Sequence, residues 1–426
     1  PLLGAVLRWT FPRLHPLRIV VAVVVAEEAL VAFGGTSLAP IVEGFALDPA
    51  GRVALAVAAL AALAVLVALA DDATTADGIT TGLVGLAGVA LVVVANASLV
   101  TAATASTATA VVLSWGLARG SGAGASHRSV QRYLVWMLLA GSGLLFSGAF
   151  DGLFQRAAVP GVLAPAAAFF VVGAGIFVAA LPFSLWLPAL CDEAPEGAGL
   201  IVALLGCAVM AVLEATAAGS PFLAGDAALR GALGTGGAVA AIVGSFLALG
   251  EKRPGRAVAY LIGAGADFSL AGLASNSTDA LVPTLWLLGA QALAASLVLT
   301  VLFRVGRPGS VRGAVSLSGL VWRRPLLGWS IVVGLLSLVG MPLTAGFVGR
   351  WETIEAAGWQ VSGLAVGMLI ASILGGLAIL RRFDSVFDAS ELPPEPIRAA
   401  DLTAALIALA LIVGGIYPWP IFALLR

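Results

Sequence analysis

Four carboxylates, Glu27, Glu28, Glu214 and Asp267, stand within apolar stretches of this 426-residue chain. An ionisable group at membrane depth costs about 2.5–3.5 kcal/mol on insertion scales, so it marks either an ion path or a structural hydrogen bond. Glu214 and Asp267, with Gln291 as a polar neighbour, are the candidates for carrying protons or sodium. Each carboxylate also fits a protonated, hydrogen-bonded structural role, and two acids some fifty residues apart do not make a continuous wire. Glu27 and Glu28 fit an interface or a neighbouring protein, with Arg18 two to three turns away. The chain has a single lysine, Lys252, in the charged stretch EKRPGR, so a lysine relay inside the membrane is excluded. Arginine does not give up its proton in proteins, and none is expected in mid-span. His15 and His127 are expected in loops among arginines, which argues against a metal site or a proton shuttle. Cys191 and Cys207 read as small apolar fillers. No catalytic, metal-binding or cofactor-binding set is expected in this chain.

The elements that hold these groups must be membrane helices. The sequence is 60% hydrophobic and 11% charged, against about 25% charged in an ordinary soluble domain, and its mean hydropathy is +1.07. Soluble enzymes, disordered tails and nucleic-acid binders are excluded. Apolar runs without strand alternation predict an all-α polytopic protein of about 13 transmembrane helices. The predicted spans lie near 17–34, 51–70, 78–97, 99–117, 133–153, 161–190, 197–219, 229–249, 257–275, 280–303, 325–348, 360–380 and 401–424. No leader cleavage is expected after the early arginines Arg8, Arg13 and Arg18. Alternation puts Arg52, Arg156, Arg230, Arg350 and Arg426 on one face and the other seventeen of the 22 basic residues on the opposite one. That bias predicts a cytoplasmic N-terminus, an external C-terminus and a multi-pass protein of the inner (cytoplasmic) membrane. Tryptophans 9, 322, 351, 359 and 419 fall near span ends, as an aromatic belt would require. The 52 glycines favour closely packed helices.

Two spans are interrupted. In the stretch 175–195, GIFVAALPFSLWLPALCDEAP, Pro182 and Pro188 bracket Phe183 and Trp186 and break an otherwise long helix, although a helix end with an interfacial Trp anchor fits the same residues. In the stretch 337–350, SLVGMPLTAGFVGR, the residues Gly340, Pro342, Gly346 and Gly349 crowd too closely for a regular span. The broken spans are the sixth and eleventh, so they cross in opposite directions, as an inverted repeat requires. The expected division is N-terminal helices over 1–77, a first five-helix repeat over 78–219, a second over 229–385, and a C-terminal loop and helix over 386–426.

These stretches resemble the antiporter-like membrane subunits of respiratory complex I (the chain N, M and L type of NADH-quinone oxidoreductase), energy-converting hydrogenases and multi-subunit sodium/proton antiporters. PFSLWLP followed by Ala194-Pro195 looks like that family's PFHxWLP…AP. Ser337–Arg350 is similar to SLxGxPxxAGFxGK, and Arg253–Leu273 to KRxLAYSSIxHxGYxLxGL. Ser318–Pro325 is similar to GLxRRxP, Arg132–Phe154 to KYFxxGAxxSxxLLFGxxLLY, and Phe45, Asp48 and Arg52 more weakly to FxxDxxxxF. The matches are collinear over roughly residues 45–385. The family usually has fourteen helices, one more at the front than predicted here.

The resemblance implies a central line of buried charges, and this sequence lacks them. The first-repeat lysine position is Phe177, the glutamate position falls near Ser106, and the second lysine position falls near Met210. The histidine position is Gly265, and a further lysine position falls near Gln291. Three functions follow as alternatives. The first is a degenerate antiporter-like subunit of a redox-driven, ion-translocating complex, mainly structural or coupling, with related membrane subunits as partners and redox cofactors in other subunits. The second is an active proton or sodium translocator using Glu214 and Asp267. The third is a stand-alone small-solute carrier with its site at the two breaks.

Overall fold

The computed structural model describes scattered positions between residues 99 and 114, then 126–177, 179–193, 227–272, 278–305, 317–357, 362–389, 396–397 and 399–419. Among the described residues every regular element is helical. The predicted spans before residue 99, and the one at 197–219, lie outside the described residues.

Helix α1 (Ser126–Ala157) covers 32 residues, about 48 Å at 1.5 Å per residue, so it outreaches a hydrocarbon core of about 30 Å. His127 lies in its first turn, which corrects the expected loop position. Asp151, near its other end, is buried with Oδ2 accepting from Gln155 Nε2 at 2.9 Å, an acidic group within a span that hydropathy alone does not single out. Helix α2 (Leu163–Phe177) packs on α1 and stops at the first interruption; the chain resumes through a short 3-10 turn, Phe183–Trp186, into α3 (Leu187–Glu193). Then come α4 (Ala227–Gly250), α5 (Pro254–Gly272) and α6 (Thr278–Val305). The short α7 (Leu320–Arg323) precedes α8 (Pro325–Val339), and α8 and α9 (Ala345–Ala357) flank the second interruption. Helices α10 (Ser362–Phe383) and α11 (Ala399–Ile416) complete the described fold.

Four described helices are long and apolar enough to cross a membrane. Three of them, in α1, α4 and α10, are only 39–44% buried, leaving side chains such as Leu139, Phe146, Phe246 and Leu369 exposed. The fourth, within α6, is 94% buried and is the hub on which α5, α8, α9 and α11 pack. Close approach depends on small residues. A Cβ on Gly237 of α4 would come within 2.6 Å of the Asp267 carbonyl oxygen of α5, and one on Gly349 of α9 within 2.7 Å of the α6 backbone at Leu287.

Charged side chains fasten one end of the bundle. Asp192, at the end of α3, pairs with Arg253 at 2.5 Å and Arg256 at 3.4 Å, and Arg382 Nε donates to the Glu251 carbonyl at 2.5 Å. The Asp192 carboxylate holds the exposed Arg253 guanidinium above its ordinary range. Deeper in, Arg324 at the start of α8 pairs with Asp401 of α11 at 2.5 Å, with 7% and 3% of the two side chains exposed. Trp322, Trp351 and Trp419 are exposed, as belt residues would be. Trp186 is fully buried, which overturns its reading as an interfacial anchor.

A buried ion pair is costly to make and more costly to halve. Arg324→Met should destabilise the folded chain by about 3–5 kcal/mol, whereas Arg324→Met with Asp401→Leu should recover most of that loss. Thermal unfolding in detergent of the single and double variants checks both values.

Candidate functional site

Both helix interruptions lie against α5, whose described length is buried almost throughout. At the first, α2 ends at Phe177, Ala179 adopts a left-handed φ of 57°, and the Leu181–Pro182 peptide is cis. Pro182 and Pro188 bracket the 3-10 turn Phe183–Trp186, with Pro188 in the first turn of α3, where a missing N–H is tolerated. Two polar contacts close the interruption from inside the bundle. Asp267 Oδ1 accepts the Leu181 N–H at 3.1 Å, and Trp186 Nε1 donates to the Ile176 carbonyl at 3.1 Å, with the buried Tyr133 ring 5.4 Å away.

The second interruption is closed by different chemistry. Gly340 caps α8 with a left-handed φ of 77°, Pro342 occupies the following turn, and Leu343 is left-handed at 70°. Ser337 Oγ accepts the Gly346 N–H at 3.2 Å, and Trp286 Nε1 from α6 donates to the Ala345 carbonyl at 3.0 Å. Arg350, on α9, reaches back across the gap. Its guanidinium donates to the carbonyls of Leu338 and Val339 and, at 3.0 Å, to Ser372 Oγ, and it lies 4.6 Å above the Phe268 ring. Arg350 is 7% exposed, a buried arginine just past the end of the predicted span 325–348.

The candidate ion-path residues do not converge. Gln291 Nε2 donates to the Ile262 carbonyl at 2.5 Å, and its Oε1 lies where a Cβ on Gly265 would be, 2.5 Å away. Asp267 follows Ile262 by five residues and Gly265 by two. At about 100° per residue it points about 140° and 160° away from them, toward the first interruption. Phe177 is buried and apolar. Glu214, Ser106, Met210, Glu27 and Glu28 lie outside the described residues. Asp267 Oδ2, Gln291 Oε1, Ser184 Oγ and the Tyr133 hydroxyl are buried without a hydrogen-bond partner among the described residues. Sequence analysis missed Arg350 as a buried group; the glycines at 346 and 349, which press its helix against neighbours, are the signal that points to it.

A family model described as NADH:quinone oxidoreductase/Mrp antiporter, TM matches residues 133–378. Subunit N of NADH-quinone oxidoreductase from Cereibacter sphaeroides is 30% identical over 261 residues, covering 58% of this chain and 55% of that protein. Its counterpart from Chromohalobacter salexigens is 29% identical over 340 residues, covering 71% and 67%. Against the first of these, the match spans about half the relative's length. A chain of the Mrp complex from Dietzia sp. DQ12-45-1b superposes with a TM-score of 0.80 at 20% identity, covering 100% of this chain and 94% of that one. A chain of respiratory complex I from Thermus thermophilus with bound NADH gives 0.80 at 20%, covering 100% and 96%. One from a membrane-bound sulfane sulfur reductase, an archaeal respiratory membrane complex, gives 0.81 at 17%, covering 100% and 94%. At these identities the structures establish a shared fold.

The Asp267 contact separates two uses of one carboxyl group. As a backbone acceptor, Asp267→Asn should hold stability close to the native value, while Asp267→Ala should cost about 1–3 kcal/mol by orphaning the Leu181 N–H. Thermal unfolding of the two variants is the measurement, and equal losses would remove the acceptor role.

Proposed function

The chain belongs to the NADH:quinone oxidoreductase/Mrp antiporter transmembrane family, and on that premise we propose that it is an antiporter-like subunit of a complex I-related membrane complex that has lost its own charged axis. Its role is structural and coupling: it joins neighbouring membrane subunits and insulates the membrane between them. The carrying observation is that its only lysine, Lys252, is exposed in the turn between α4 and α5. Phe177, apolar and buried beside the first interruption, supports the same reading. A titratable amine shifts its proton affinity when a carboxylate approaches or withdraws, and a phenyl ring has no proton to move.

The reading extends to about 13 helices and two inverted repeats over 78–219 and 229–385, supported by one broken helix in each stretch. The clustering of Lys252, Arg253, Arg256 and Arg382 near one end of the bundle supports a cytoplasmic face there, with the N-terminus on that side. Redox cofactors belong to partner subunits.

In the assembled complex, Asp267→Asn and Glu214→Gln should each leave redox-driven proton or sodium translocation per electron pair unchanged, read with a pH or sodium indicator in sealed vesicles. Loss of translocation with assembly intact would favour the alternative in which these two carboxylates carry the ion. Purification in mild detergent should bring down related membrane subunits. Recovery as a lone monomer that transports a small solute would replace the proposal with the carrier alternative.

A further inference from the structure

We propose that Arg350 is a fixed charge barrier that excludes cations from the second interrupted helix. This goes beyond the non-conducting role and rests on it. The guanidinium is held by α8 through two carbonyls, by α10 through Ser372 and by α5 through the Phe268 ring, while its own backbone belongs to α9. The two carbonyls belong to the last residues of α8, the negative end of that helix dipole, where a cation is stabilised. A Cβ on Gly340 would come within 2.5 Å of Arg350 Cδ, so the side chain lies directly across the turn that interrupts the helix.

Among the described residues no carboxylate forms an ion pair with Arg350, and its partners are neutral oxygens and an aromatic face. Among the described residues the positive charge is therefore screened by dipoles alone and not cancelled. A guanidinium keeps its proton, so it presents a fixed positive charge and does not relay a proton. A permanent positive charge in a low-dielectric constriction repels any cation that approaches, as arginines do in pores that reject cations.

The test separates charge from packing. A Met341→Cys reporter, beside Gly340, is placed in the full chain in its native membranes with Cys191→Ala and Cys207→Ala. It is labelled with two thiosulfonate reagents of similar size, one trimethylammonium and one sulfonate, with rates normalised to a free thiol. With Arg350 present, the cationic reagent should react at least about tenfold more slowly than the anionic one, the ratio that about 1.4 kcal/mol of repulsion gives. Arg350→Lys keeps the charge and should keep the bias; Arg350→Gln should bring the two rates together. If the Gln variant does not assemble, a missing bias in the parent or the Lys variant still overturns the proposal. Equal rates in all three, or a cysteine unreactive in all three, would overturn only the assignment to Arg350. Faster cationic than anionic labelling in the parent would overturn the non-conducting role as well.

Discussion

Inside a bilayer a backbone N–H or C=O without a partner costs several kcal/mol, and the organisation of this bundle follows from meeting that demand at the two places where helices are interrupted. A continuous span satisfies its own polar groups; an interrupted one must borrow partners. At the first interruption the partners are a carboxyl oxygen of Asp267 and the Trp186 indole. At the second they are the Ser337 hydroxyl, the Trp286 indole and the Arg350 guanidinium. The deep polar side chains thus have structural work that accounts for much of their presence at depth, and α5 and α6 are buried because they carry or support these partners.

Much of the fold was legible from hydropathy because a long apolar run has few alternatives. The predicted spans from 133 onward, other than 197–219, each overlap described helices; 161–190 and 325–348 are each split in two, and four described helices are long and apolar enough to cross a membrane. Pro182, Gly340 and Pro342 identified both interruptions, since each removes a donor or permits a backbone turn that other residues resist. Pro188 marks where the chain resumes as α3, because proline is tolerated in a helix's first turn and not in its interior. Trp186 was open to two readings: an indole needs a hydrogen-bond partner, and an interface and an interrupted helix both provide one.

The site was less legible, for a reason specific to charge. Basic residues were assigned to faces by alternation, which treats every arginine as a surface marker. Arg350 breaks that premise because broken helices place backbone carbonyls inside the bundle, where they solvate a guanidinium. Asp267 is buried on α5, but one-dimensional spacing does not give its azimuth on that helix or show that Leu181 lies opposite. Gln291 illustrates the same limit. Its partner is a carbonyl made accessible by Gly265, so the residue that defines its position is one without a side chain.

A fold built for moving ions can be retained after the moving parts are gone, because its packing and its conductance rest on different atoms. Glycines at helix contacts and caps at the interruptions maintain the bundle whether or not a titratable amine is present. A buried apolar group such as Phe177 carries none of the desolvation cost of a charge, so it fits the packed bundle as well as any titratable amine would. What must then be prevented is a leak through the interruptions that remain. Caps that satisfy the backbone also occupy the space through which water would pass, and a capping cation adds repulsion to steric closure. The backbone demand of both interruptions is therefore met by the same few side chains that fill them.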